Sequence, residues 1–386
     1  MIRDKKLILG LIVFCAYSLG LLEARPLHIV FVVEYFPAPS QPHIVNIMTG
    51  LIDAGHKVDI WSFRKNNVEE DPNVANYSLK DLAIYGNNPS LSSDVDIVFC
   101  QSATLGKRVL SMKSLSKWLS KRKMVVCLRG NDITKNYVKN NPHLYQKLFN
   151  RCDLFLPVCD YFKKVAVQLG CSEEKIRVHH SAINCDRFFF RERKKVMNEL
   201  VRLVSVCRLV EKKGLNFAIE AVARVVKQNP QIHYTIIGDG PERGRLERLV
   251  HQLQIEDKVA FIGWGSQDII VDVLDNSHIF LLPSITAVNG DEEGIANALK
   301  EAMAMGLITI GTRHAGTPEL IENGVSGFLV KEKSSTMLAG KIDYIIKHSE
   351  LWKSIGLAAR KKIEDEFETK QSIKELEQIF YRLLGR

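Results

Sequence analysis

The eight cysteines, Cys15, Cys100, Cys127, Cys152, Cys159, Cys171, Cys185 and Cys207, include no Cys-x-x-Cys pair. Several lie in apolar, strand-like runs, which points to buried free thiols rather than a disulfide framework or a cysteine metal site. Zinc-finger spacing is missing, and no basic repeat is interleaved with aromatics. Nucleic acid therefore ranks last among the acidic partners that a net charge of +9 invites. Anionic lipid and phosphorylated ligands remain. The composition of disordered chains is absent too. An apolar fraction of 46% supplies folded cores, and 386 residues suit two domains of ordinary size.

Three motifs are present only in imperfect form. Asp94-Val95-Asp96 has the shape of a metal-clamping Asp-x-Asp pair, but it leads into the strand Ile97 to Cys100 instead of following one. It reads as the acidic start of a strand. The stretch HYTIIGDGPERGRLERLV runs a strand into Gly238, Gly240 and Gly244, like a dinucleotide-binding loop. The third glycine of that fingerprint would stand where Arg243 is, and the unit follows a complete strand–helix pair. A tight turn at the sheet end is the reading adopted. His179 and His180 are adjacent, so on a strand they would face opposite ways and share no ion.

The chemistry-bearing stretch is Asn289 to Met305, NGDEEGIANALKEAMAM. Glu293 and Glu301 stand eight apart, just beyond an apolar strand, Ile279 to Leu282, that ends in Pro283-Ser284. Helix formers dominate from Ile295, which makes Gly294 the expected passage from loop to helix. Eight helical residues rise roughly 12 Å over a little more than two turns, so Glu301 would lie two turns inside and Glu293 at the mouth. Free N–H groups and a partial positive charge at a helix start suit a phosphate. Carboxylates on either side could accept hydrogen bonds from ligand hydroxyls, a geometry that suits a sugar nucleotide. The bland alternative is a solvated acidic loop before an ordinary helix.

The run EGIANALKEAMAMGLITIGTRHAGTPELIENGVSGFLV resembles the donor-site signature of family 4 retaining glycosyltransferases, which have the GT-B fold. The resemblance implies that Glu293 meets the transferred sugar and Glu301 the ribose, with Gly294, Ile295 and Ala296 at the helix start. Ala296 stands where those enzymes usually carry proline. The segment RLVEKKGL matches the family's diphosphate ligands, implying that role for Arg208 and Lys213, which flank a strand-to-helix turn. Two cations there suit a diphosphate on chemical grounds as well. Gly238 and Gly240 would pack near the nucleotide, and VAFIGWG would carry Trp264 toward the base.

In the first half, LHIVFVV (27–33) reads as a buried strand. A Pro-rich loop, a helix from about His43 to Asp53 and a strand from Val58 to Phe63 come next, implying a right-handed crossover in a parallel sheet. The layout from Phe36 to Val58 resembles bacterial exopolysaccharide transferases of the colanic-acid type, with Gln41 where glutamate commonly follows Ser40. Arg129 and Asp132, in Arg-Gly-Asn-Asp, fall at a strand end that in the family faces the cleft. The resemblance makes Ser40, Arg129 and Asp132 acceptor-side candidates, although Asp132 could equally cap a turn. Ser181 and Asn184 are expected at another strand end. Residues 106–123 read as a basic amphipathic helix, lying on a membrane surface or covering the sheet.

The expectation is therefore an α/β GT-B enzyme with two Rossmann-like parallel-sheet domains and an interdomain cleft. Residues 27–190 would form the acceptor domain and 200–369 the nucleotide-sugar donor domain, with 370–386 packing back on the first. Residues 1–25, with Arg3, Lys5 and Lys6 before the apolar run Leu7 to Leu22, read as a signal peptide or short membrane anchor. That segment would place the globular part outside the cytoplasm, whereas nucleotide sugars and free thiols belong inside. The cytoplasmic face of the inner membrane is the expected location. The implied reaction moves a sugar from a UDP- or GDP-linked donor to a saccharide or lipid-linked acceptor, with retention and without a metal or cofactor. The alternative is an exported or anchored carbohydrate-binding protein of the same fold.

Overall fold

The computed structural model describes residues 25–38, 42–66, 72–141, 143–194 and 200–386. The apolar run 7–22, together with Ser40 and Gln41, lies outside the described residues.

Two six-stranded parallel sheets organise the chain. The first holds β1 (His28–Phe36), β2 (Lys57–Lys65), β3 (Ala83–Tyr85), β4 (Ile97–Cys100), β5 (Lys123–Leu128) and β6 (Leu154–Pro157), in the order β3-β2-β1-β4-β5-β6. The second holds β7 (Val201–Val206), β8 (Ile232–Ile237), β9 (Val259–Gly263), β10 (Ile279–Leu282), β11 (Ile308–Thr312) and β12 (Phe328–Val330), in the order β12-β11-β10-β7-β8-β9. β1 is buried from His28 to Val33 and β10 throughout. Continuous apolar runs of this kind have helices covering both faces of a parallel sheet. In each sheet the strand order reverses once, between β1 and β4 and between β7 and β10. Ligands bind outside the carboxyl ends of the strands at such a reversal.

Seven helices bear on the site: α1 (Pro42–Asp53), α2 (Ala103–Ser111), α3 (Asp160–Gln168), α4 (Leu215–Val225), α5 (Asn297–Ala304), α6 (Trp352–Glu366) and α7 (Thr369–Leu383). The last one returns to the first sheet's side of the molecule. A Cβ on Gly50 of α1 would stand 2.6 Å from Ile373 Cγ1, so only glycine admits the packing. Phe380 meets Phe99 of β4 edge to face at 5.6 Å, and His56 Nε2 lies 2.9 Å from Glu377.

Several sequence expectations need correction. Residues 106–123 are not one helix: α2 stops at Ser111, and a 3-10 turn (Lys113–Leu115) and a short helix (Ser116–Leu119) follow. Trp118 packs against the core, donates from Nε1 to Ser92 O at 3.0 Å and carries the Arg122 guanidinium over its ring at 4.4 Å. The sheet-covering alternative holds for its apolar residues. Ser181 and Asn184 follow no strand; the crossover makes only isolated bridges, Phe155 to Ile176 and Ile183 to Glu368. The helix expected from Ile295 begins at Asn297, with Ala296 as its extended cap. Glu301 therefore lies just over one turn inside, not two. The short strand β3 was not foreseen because its three half-buried residues carry no periodic signal.

Candidate active site

Adjacent strands β7 and β10 deliver the two segments that carry most of the charge. A 3-10 turn (Glu211–Lys213) follows β7 and ends at Gly214, whose φ is +63°. A Cβ there would lie 2.1 Å from Pro283 O, so glycine alone lets the turn press on the end of β10. The loop after β10 is then fastened to this turn residue by residue. Glu211 Oε1 accepts from Val288 N at 3.1 Å, Lys212 Nζ reaches Asp291 at 3.1 Å, and Lys213 Nζ sits 2.5 Å from Glu293 Oε2. The motifs VEKKG and NGDEEG are thus complementary strips, which their separation in sequence conceals.

Electrostatics at this corner follow from that pairing. Burial pushes the Glu293 carboxyl up, but Lys213 and Lys212 outweigh it and hold its pKa down at about 2. Burial raises the Cys207 thiol to about 12, and Lys213, Glu293 and Arg208 are the charges it feels next. All three therefore converge around the end of β7. Arg208 itself is exposed, and its guanidinium makes no hydrogen bond or ion pair among the described residues. His314, missed in the sequence, orients the loop: its Nε2 accepts from Glu293 N at 3.0 Å while Nδ1 faces Glu332 Oε1 at 2.8 Å. That pattern requires the proton on Nδ1. Glu332 completes the brace by accepting from Thr286 N at 2.9 Å.

A second cluster lies deeper, along α5. Gly294, Ile295 and Ala296 are all buried, and a Cβ on Gly294 would meet the Phe162 ring of α3 at 2.8 Å. The N–H groups of Ile295, Ala296 and Asn297 donate to no acceptor among the described residues. Glu301 is 7% exposed, and its carboxylate has no hydrogen bond or ion pair among those residues. Burial raises its pKa, with Lys300 and Arg187 acting against the shift. Lys300 is fully buried and donates to Ser181 O and, at 2.8 Å, to Ser181 Oγ; burial lowers its pKa while Glu301 opposes. Asn297 links Ser181 to His43 of α1, with Nδ2 3.2 Å from His43 Nδ1. Neither Lys300 nor His43 was singled out in the sequence, because each works through residues more than 100 positions away.

The remaining candidates divide. Arg129 donates to Gln101 at 2.6 Å, and its charge is near enough to His43 and Lys300 to act on both. Asp132 is buried and accepts from the N–H groups of Ala103, Arg129 and Gly130, at 2.8, 3.2 and 2.9 Å. It holds its own turn together, the capping alternative, and offers no free face to a ligand. Gly238 and Gly240 fit their tight-turn reading: a Cβ on the first would strike Cys207 O at 1.8 Å, and on the second Leu209 O at 2.5 Å. Trp264 is 56% exposed just beyond edge strand β9, two strands from β7.

The family described as glycosyl transferases group 1 matches residues 186–362. A colanic acid biosynthesis glycosyltransferase, WcaL of Salmonella typhimurium, is 31% identical over 391 residues, covering 87% of this chain and 95% of its own. The amylovoran biosynthesis glycosyltransferase AmsK of Erwinia amylovora is 34% identical over 302 residues, covering 78% of this chain and 73% of its own. Among solved structures, Anabaena HepE in complex with UDP and glucose superposes with a TM-score of 0.75 at 17% identity, over 92% of this chain and 100% of its own. A glycosyltransferase from Rickettsia africae does so with 0.74 at 20% identity, over 94% and 99%. These two likenesses speak to the fold, which is GT-B. With 31% identity along 95% of WcaL and 34% along 73% of AmsK, the chain belongs to the group 1 glycosyltransferases.

Proposed function

We propose that this glycosyltransferase moves a sugar from a UDP- or GDP-linked donor to a saccharide or lipid-linked acceptor, with retention at the anomeric carbon. Glu301 carries the reading. A carboxylate buried without a partner is costly, and a ribose diol would supply the donors it lacks. The free N–H groups at the start of α5, Arg208 and Lys213 would surround the diphosphate. Preorganised dipoles and cations aimed at a developing anion are an effective catalytic device.

Lys213 and Glu293 give the sequence of events. In the ligand-free chain each neutralises the other. An arriving diphosphate would draw Lys213 toward its oxygens and free Glu293 to accept from the sugar hydroxyls. The acceptor would then attack on the face from which the diphosphate leaves, so no protein nucleophile is named. The relatives' names place them in exopolysaccharide biosynthesis, and we assign this chain to surface polysaccharide or glycolipid synthesis on the cytoplasmic face of a membrane. Among the described residues no helix is long and apolar enough to cross one. We further assign the first sheet with α7 to the acceptor and the second to the donor.

Calorimetric titration with UDP and with GDP tests the donor site. One nucleotide is expected to bind, at least tenfold more weakly in Glu301→Ala and Arg208→Ala, followed by turnover of the matching sugar nucleotide in the presence of a chelator. Absence of binding to either by the folded chain would leave a non-catalytic carbohydrate-binding protein as the reading.

A further inference from the structure

The two halves also touch away from the two clusters, along the start of α3 and the loop that carries Glu292, and Tyr161 is bonded to the second half through both its backbone and its side chain. Tyr161 stands in the first turn of α3, directly after β6 of the first sheet. Its N–H donates to Glu319 Oε1 at 2.9 Å, and the N–H of Asp160 donates to Glu319 Oε2 at 2.8 Å. A carboxylate from the second half thus caps a helix of the first, where the helix dipole favours negative charge. The phenol of Tyr161 donates to Glu292 Oε2 at 3.0 Å, and Lys139 Nζ lies 3.3 Å from the same oxygen. Glu292 is 6% exposed. Around it the same loop makes three more crossings: Glu292 N to Thr134 Oγ1 at 3.2 Å, Asn136 N to Asn289 O at 2.8 Å, and Asn136 Nδ2 to Val288 O at 3.0 Å.

We propose that Tyr161 is the catch on which the halves close, and that Glu292 and Glu319 are positioning residues that grip it from the donor side. The inference rests on the reading of the cleft as the donor site, since its catalytic consequence comes through Glu293. Glu292 precedes Glu293 in the chain. A loop drawn to the first half by Glu292 and held to its own half by Lys212 has both ends fixed, and Glu293 and the Gly294 turn are aimed by that double hold. The acceptor domain's side chains thereby complete the donor site's geometry. Glu319 does the same at the amino end of α3, where a Cβ on Gly316 would stand 3.0 Å from both Cys159 Sγ and Gly294 O. Bonds to charged acceptors are the strong ones, and each is made only when the halves meet.

Hydrogen exchange measured by mass spectrometry on the full ligand-free chain tests the catch. The variants are Tyr161→Phe, which keeps the ring and loses one bond, and Glu319→Gln, which keeps an acceptor oxygen but loses the charge. Each is expected to lower protection about tenfold in peptides covering 158–164 and 286–294, as the loss of one charge-assisted bond implies, while peptides in α4 stay unchanged. Lys139→Arg, which retains the cation, is expected to keep near wild-type protection. With UDP-glucose or GDP-mannose as probe, according to which nucleotide binds, kcat for donor hydrolysis is expected to fall about tenfold with KM within about threefold. Unchanged protection in both variants would overturn the catch. So would uniform loss of protection throughout the chain, which would mark a purely structural role. Failure of wild-type chain to bind UDP or GDP would sink the donor reading instead, and the ligand-free exchange would still decide the catch.

Discussion

At the scale of single residues the site is a set of charges that hold one another until a ligand arrives. Lys213 and Glu293 are the central pair, with side chains 11% and 16% exposed. Removing one partner of such a pair strands the other and typically costs about 3–5 kcal/mol, whereas replacing both is far cheaper. Lys213→Met and Glu293→Gln should each destabilise the chain by about that amount, and the double variant by less than their sum. Urea unfolding of the four proteins measures the coupling, expected at roughly 1–3 kcal/mol. The acid dependence has a definite sign. A carboxyl depressed to about 2 from its ordinary 4.5 contributes stability above pH 4.5 that disappears as pH falls toward 2. Lys213→Met should remove most of that contribution. The sequence displayed both residues and their flanks, because a phosphate-seeking cation and a sugar-seeking carboxylate are recognisable by type and setting. It could not display that they neutralise each other at rest.

At the scale of elements, strands and helices were largely legible and their joints were not. β10 and α1 fall where the apolar run 279–282 and the stretch from about His43 to Asp53 put them, since period and burial are local properties. The start of α5 slipped by two residues because Ile295 lies in a bend and Ala296 in extended backbone, both of them buried. The crossover after the first sheet was the hardest to read. It depends on His179, whose Nε2 lies 3.0 Å from Ser372 O in α7, almost 200 residues on. Burial, with Arg129 and His180 adding to it and the Ser372 bond opposing, lowers the His179 pKa from 6.5 to about 4. A base depressed in the folded state binds fewer protons there between those values, so stability falls as pH drops from about 6.5 toward 4. The full shift is worth on the order of 3 kcal/mol. His179→Gln, which titrates nowhere in that range, should flatten the pH dependence of Tm between 6.5 and 4. Protection of α7 amides should likewise become less sensitive to acid. Equal slopes in the two proteins would mean that α7 docks independently of this histidine.

At the scale of the whole molecule the question is where a net charge of +9 is displayed. Ion pairs such as Arg108 with Glu34 at 3.0 Å, Lys123 with Asp153 at 3.0 Å and Arg193 with Asp275 cancel cations against anions and leave that excess to the unpaired cations. The segment after α2 differs. Lys113, Lys117 and Lys121 are exposed within nine residues, while Met112 just before them and Leu115, Trp118 and Leu119 between them pack against the core. The amphipathic reading of the sequence thus survives in charge and fails in greasiness: this face can meet an anionic bilayer electrostatically but has no free apolar wedge to insert. Attraction of this kind is worth about 1 kcal/mol per cation near the surface and decays within a Debye length, about 10 Å at 0.1 M salt. For the chain begun at Arg25, so that 7–22 plays no part, binding to phosphatidylglycerol vesicles should weaken at least tenfold between 0.05 and 0.5 M salt. Exchanging the three lysines for glutamate should abolish it, leaving nucleotide binding unchanged because they lead into the amino end of β5, whereas the site lies at the strands' carboxyl ends. Salt-resistant binding that ignores the exchange would show that the bilayer meets the protein elsewhere.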